Sequence, residues 1–334
     1  MQEIRVQRFE LTSAHVFTAA FVSACALAAL LIGSAPLQMS IVTIFLFAGV
    51  HNFMEFRYFA ARMPLRWGRS RGFYSIAIGG VAVLTTAYLA IYFIGGGWLW
   101  TPEVSGMLSA SWNTAFILWV GVLFYVRGRQ RPRSDWSWAF AVAFAFCALA
   151  WAFPQYWSLS LVYIHPLVAM WFLERQIRRT KPEWLRAYHY GLAAVPVFVA
   201  ALWLALAAEP SLPSSDALSW RITQHAGSEI LAGISSRFLV ATHVFLESIH
   251  YFVWILLIPL IDRRALPWNL SGIPLFAKSG GWPKLMVAAL VVSLIVVLGL
   301  WIGFSADYTL TRDVYFAFAI AHVMAEFPFL IKMI

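Results

Sequence analysis

The sequence predicts an all-α integral membrane protein, a polytopic bundle of about ten transmembrane helices. Hydrophobic residues make up 61% of the 334 residues and charged residues only 12%, a composition far outside that of soluble domains. The apolar residues occur in runs long enough to cross a bilayer, at about 20 residues per crossing. Arginine and lysine are concentrated between these runs, as expected of loops that flank membrane helices.

Ten apolar runs account for most of the chain, and two of them are separated only by Pro154 and Gln155. We expect transmembrane helices near residues 12–33, 38–60, 72–95, 109–126, 136–153, 156–174, 189–207, 237–261, 284–305 and 312–332. Residues 1–334 are therefore expected to form a single transmembrane domain.

The positive charges predict the orientation of this domain, because cytoplasmic loops carry an excess of lysine and arginine. Alternate connecting segments are basic, from the terminus with Arg5 and Arg8 to Lys332, whereas segments such as 95–109 hold few cations. Both termini are thus expected in the cytoplasm, with the chain in a cell membrane such as a bacterial inner membrane. The net charge of +9 follows from this distribution, so we expect no nucleic-acid partner.

Two other segments are predicted to lie at the membrane surfaces. On the outer side, residues 208–236 contain an amphipathic stretch from Ala217 to Ile234, which is typical of an interfacial helix. On the cytoplasmic side, residues 56–74 are basic and aromatic and favour anionic headgroups of membrane lipids. A specific site for an acidic cofactor is the alternative for this basic segment.

Three glutamates inside the apolar runs each follow a histidine by four residues, a spacing that puts both side chains on one helical face. The pairs are His51 and Glu55, His243 and Glu247, and His322 and Glu326. An ionisable group at bilayer depth is costly unless it is paired, hydrated or bound to a metal. Three such pairs therefore favour a buried metal site over incidental hydrogen bonds within a helix.

Counting inward from the helix ends places four histidines near the middle of the membrane: His51, His165, His250 and His322. Glu247 and His250 form an E-x-x-H pair, the spacing at which di-iron helical bundles present two ligands. His243 extends this stripe along the same face and is either a ligand or a residue that orients Glu247. The predicted metal ligands are His51, Glu55, His165, His243, Glu247, His250, His322 and Glu326. Glu55, Glu247 and Glu326 are the predicted catalytic or bridging carboxylates.

Imidazole and carboxylate ligands suit iron, zinc or manganese. Both cysteines, Cys25 and Cys147, lie in apolar runs, so a thiolate site is not expected. The candidates outnumber the ligands of one four-coordinate ion, which indicates either two bridged metals or one metal with an acidic surrounding shell. We expect one or two non-heme irons.

A metal in apolar surroundings favours an oxidoreductase of oxygenase, hydroxylase or desaturase type. Its expected substrate is lipophilic, such as a lipid, an isoprenoid, a carotenoid or a quinone. An electron donor on the cytoplasmic side would reduce the metal centre. Three alternatives use the same residues: a transporter of protons or metal ions, a heme protein and a zinc hydrolase of lipid amides or esters.

Overall fold

The computed structural model describes residues 13–64, 66–94, 101–131, 134–262, 264, 266, 269–277 and 282–334. Within these ranges the chain is helical and contains no strand. Nine of the helices in these ranges are long and apolar enough to cross a membrane. The predicted all-α polytopic bundle is therefore confirmed, whereas the cytoplasmic location of the termini stays a prediction.

Every predicted span corresponds to one helix. The helices are α1 (Ser13–Ser34), α2 (Pro36–Arg62), α3 (Arg71–Ile94), α4 (Pro102–Arg129), α5 (Trp138–Ala152), α6 (Pro154–Thr180), α7 (Leu185–Leu206), α8 (Ala217–His225), α9 (Ser236–Ile261), α10 (Trp282–Ala306) and α11 (Tyr308–Met333). Only α8 was not expected to span the membrane. The apolar helix α5 has 15 residues, fewer than the roughly 20 that a full crossing needs.

The helix starts follow from local sequence. Proline is the first residue of α2, α4 and α6, a position that needs no backbone N–H donor and suits the fixed φ of proline. Asp307 separates α10 from α11, and its carboxylate accepts a hydrogen bond from the Leu310 N–H at 2.9 Å. This cap lets α11 begin directly after α10 ends.

The interfacial helix is shorter than the amphipathic pattern predicts. Asp216 caps its start by accepting a hydrogen bond from the Ser219 N–H, but α8 ends at His225 and not at Ile234. Gly227 has a φ of 91°, a left-handed conformation that glycine adopts at little cost and that ends a helix. The rest of the segment forms turns and bends.

Helix α9 is the central helix and is buried along most of its length. It packs against α1, α2, α6 and α7, while α11 packs against α2, α3, α4, α6 and α10. One turn after His250, residues Val253–Leu257 of α9 form a π-helical turn. Pro259 follows and lacks the N–H of a regular turn, which explains the wider turn.

Two neighbouring glycines of α3 provide a test of how α3 packs on α4. A Cβ added to Gly80 would overlap the indole of Trp119, whose Nε1–H donates to the Ile76 carbonyl at 3.0 Å. We expect Gly80→Ala to displace this indole and to lower the free energy of unfolding by about 1–3 kcal/mol. Gly79→Ala is the matched control, since no atom lies within 4 Å of its added Cβ. Equal melting temperatures of the two variants in detergent would contradict this packing.

Candidate metal centre

Four histidines from α2, α6, α9 and α11 meet inside the bundle. Their ring centres form a closed ring with distances of 5.2 Å for His51 to His250, 4.8 Å for His250 to His165, 5.2 Å for His165 to His322 and 5.2 Å for His322 to His51. Imidazoles that share one ion through bonds of about 2.1 Å have ring centres about 5 Å apart. The histidines that depth counting placed at one level are thus spaced as metal ligands would be.

Hydrogen bonds from the backbone orient two of these rings. His51 Nδ1 lies 3.2 Å from the Phe47 carbonyl oxygen, and His250 Nδ1 lies 3.4 Å from the Pro166 carbonyl oxygen. A carbonyl only accepts, so each neutral ring carries its proton on Nδ1 and leaves Nε2 with a free lone pair. Metal-binding histidines are held in the same way.

Two carboxylates complete the site, each one helical turn beyond a histidine. Glu55 and Glu326 are each only 1% exposed, and none of their four oxygens has a hydrogen-bond partner among the described residues. His165 Nδ1 lies 3.2 Å from Glu326 Oε2, close enough for an ion pair but outside hydrogen-bond alignment. Ionised carboxylates without partners are very costly to bury, and a bound cation would offset that cost.

The six side chains, called here the His/Glu cluster (His51, Glu55, His165, His250, His322 and Glu326), form two overlapping groups. Donor atoms within 4.8 Å of one another come from His51, Glu55, His250 and His322 in one group, and from His165, His250 and Glu326 in the other. His250 belongs to both groups, but only its Nε2 is available, so it binds one ion. When His250 is assigned to the second group, one set consists of His51, Glu55 and His322, and the other of His165, His250 and Glu326. Each set has two histidines and one carboxylate, which is typical of non-heme iron oxygenases.

His243 and Glu247, the two remaining predicted ligands, lie outside both groups. His243 Nε2 lies 3.7 Å from Glu247 Oε1, and both side chains line the cavity beside the cluster. Although Glu247 lies three residues before His250 on α9, its carboxylate is not among the donor atoms of either group. The role of His243 and Glu247 as ligands stays a prediction.

The structure adds residues that the pattern of pairs did not identify. The ring of Tyr251 lies 4.4 Å from that of His51; its position four residues after Glu247 was the available sequence signal. His225 lies in the predicted interfacial segment, and its ring lies 5.0 Å from that of His243. Burial lowers the pKa of His225 well below its ordinary value, and electrostatic interaction with His243 and Arg312 lowers it further. The ring of His225 is therefore neutral at pH 7.

A cavity of about 810 Å³ connects the His/Glu cluster with the bundle surface. Tyr88, Trp112, Phe116, Leu161 and Ile320 are among the aromatic and aliphatic side chains that line it, whereas Arg221, Gln224, Arg312 and Asp313 line its polar end. Two lining residues, Tyr92 and Ile164, are 42% and 55% exposed. The cavity is therefore lined in part by side chains that also reach the outer surface of the bundle.

No protein-family model, curated protein or solved structure matches this chain. The fold and the site therefore define its class by themselves. It is a multi-pass membrane protein with a buried histidine–glutamate cluster whose geometry is compatible with a metal site.

Proposed function

We propose that the protein is a membrane-embedded, metal-dependent oxidoreductase that uses two non-heme irons and acts on a lipophilic substrate. The observation that carries this proposal is the clustering of six side chains in two overlapping groups that share His250; assigning His250 to the second group gives two sets of two histidines and one carboxylate. Both sets adjoin a cavity with aromatic and aliphatic walls. When bound, such irons supply oxidation chemistry, including activation of dioxygen.

The chain's own residues have three tasks in this proposal. His51 and His250 keep Nε2 unprotonated through their Nδ1 hydrogen bonds. Glu55 and Glu326 supply the negative charge that holds the ions in the low-dielectric interior, and either can take up a proton from the substrate. The aromatic wall around Trp112 and Phe116 excludes water and accepts an apolar chain.

The two-set arrangement also separates the enzymatic alternatives. A zinc hydrolase needs three protein ligands and a water molecule, which would leave the second set without a role. A heme with two axial histidines would leave the other two histidines and both glutamates unexplained. These comparisons favour two bound metal ions over a single zinc or a heme.

Transport of protons or metal ions is the second candidate, favoured by the polar residues beside the cluster. His225, His243 and Glu247 follow one another from the polar end of the cavity inward. On the other side of the cluster, however, Phe59, Phe172 and Trp254 pack together. This aromatic packing offers no charged side chain to an ion, so the enzyme is the stronger proposal.

Metal analysis of the protein purified in detergent tests the proposal. We expect about two irons per chain and an absorption spectrum without the Soret band of heme. One zinc per chain would indicate a hydrolase, and a Soret band would indicate a heme protein. A metal-free protein that carries protons or metal ions across vesicle membranes would overturn the proposal in favour of transport.

A further inference from the structure

A second pocket lies where α2, α6 and α11 end, one layer of aromatic side chains away from the His/Glu cluster. It has a volume of about 330 Å³, and its charged lining residues are Arg62, Arg66, Arg179 and Lys332. No acidic residue lines it among the described parts of the chain. The pocket therefore gathers four cations from three helices and the segment after α2.

Within the described parts of the chain, Arg62 is the only one of these four cations that forms an ion pair with a carboxylate. Arg62 Nη2 lies 2.5 Å from Asp262 Oδ2 and also donates to Gln176. Burial acts to raise the pKa of Asp262, but the hydrogen bonds and charge of Arg62, together with those of Arg264, hold it below its ordinary value. Asp262 is therefore ionised and cancels one positive charge, which leaves the pocket strongly cationic.

The donor groups of the pocket match a tetrahedral anion. Lys332 Nζ lies 2.7 Å from Ser70 Oγ, a neutral partner, and its charge is not cancelled there. Arg62 stacks over the Tyr58 ring at 4.3 Å, and its buried Nη1 has no hydrogen-bond partner within the described chain. Arginine binds phosphate through a planar fork of donors, and lysine adds a point charge.

We propose that this pocket binds a phosphate group, carried either by a phospholipid headgroup or by a free phosphate compound. The site is independent of the metal centre. The rings of Phe59 and Phe329 stack at 4.3 Å, and Trp254 packs on Phe59, so an aromatic layer separates the pocket from His250. Metal loss would leave phosphate binding intact, and the failure of either proposal does not affect the other.

Two binding measurements with the full-length protein distinguish the sources of the phosphate. Calorimetry of delipidated protein in a non-ionic detergent uses inorganic pyrophosphate as the probe. Native mass spectrometry after reconstitution into phosphatidylcholine nanodiscs, with or without phosphatidylglycerol, detects retained anionic lipid. Binding in the first measurement supports a free phosphate compound, and selective retention in the second supports a lipid headgroup.

Exposed arginines allow a matched set of variants. We expect the double variant Arg66→Gln and Arg179→Gln to bind pyrophosphate or the anionic lipid about tenfold more weakly, or more weakly still. Each substitution removes one charge-assisted contact to the phosphate group. Arg186→Gln removes an exposed charge outside the pocket and should change nothing. The single variants are measured as well, in case the double variant folds poorly. The absence of binding by the wild type in both measurements, or equal affinity of the pocket variants and Arg186→Gln, would overturn the proposal.

Discussion

Replacing His250 with alanine is expected to abolish iron retention in at least one of the two sets and to reduce turnover to background. His250 belongs to both groups of the cluster, and its ring is 2% exposed and held by the Pro166 carbonyl. Loss of a group that merely orients a ligand already weakens metal binding by about 10–100-fold, so loss of the ligand itself should exceed that range. Iron content and a single-turnover assay after purification in detergent measure both effects.

Glu247→Gln is the matched variant for this experiment. Glu247 lies on the same helix and lines the same cavity, but it belongs to neither group. With the two three-residue sets as the ligands we expect Glu247→Gln to retain iron, whereas the ligand role predicted for Glu247 from the sequence would make this variant lose it. If it loses iron as His250→Ala does, the E-x-x-H pair acts as one unit and the two three-residue sets are wrong.

Removal of the metal is expected to destabilise the wild type strongly, because Glu55 and Glu326 then lose the cation that compensates their buried charge. A ligand present at 1,000 times its dissociation constant stabilises the folded state by about 4 kcal/mol, and an uncompensated buried charge costs about 3–5 kcal/mol. A chelator should therefore lower the melting temperature in detergent by many degrees. The effect should be larger than that of the Gly80→Ala packing change.

The double variant with Glu55→Gln and Glu326→Gln should not respond to the chelator. It removes both carboxylates, so it should bind no iron, melt above the chelated wild type and show no further change with chelator. Glu183→Gln, at an exposed glutamate outside the cluster, should behave as the wild type in every condition. An unchanged melting temperature of the chelated wild type would contradict metal binding by these carboxylates.

The sequence predicted the helices well because hydropathy and helix starts are local properties. Each of the ten apolar runs became a helix, and prolines begin α2, α4 and α6. The errors also have local causes. The turn at Gly227 shortens α8, and α5 is too short for a full crossing by length alone.

Membrane depth could also be counted from the sequence, since each residue of a helix rises 1.5 Å along its axis. Counting therefore identified the level at which His51, His165, His250 and His322 lie. It could not decide which helices are neighbours or how far each is rotated about its axis. Those two quantities depend on side-chain packing between distant segments.

The tertiary structure alone decided which polar side chains share a centre. The packing of α2, α6, α9 and α11 directs Glu55 and Glu326 toward the histidines, while Glu247, with the same spacing from its histidine, faces His243. The basic segment after α2 acquires a defined pocket only where it meets the ends of α6 and α11. Sequence thus determined the elements and the depth of their polar residues, because both follow from a single helix in a membrane. The sites required the structure, because a site exists only where several helices meet.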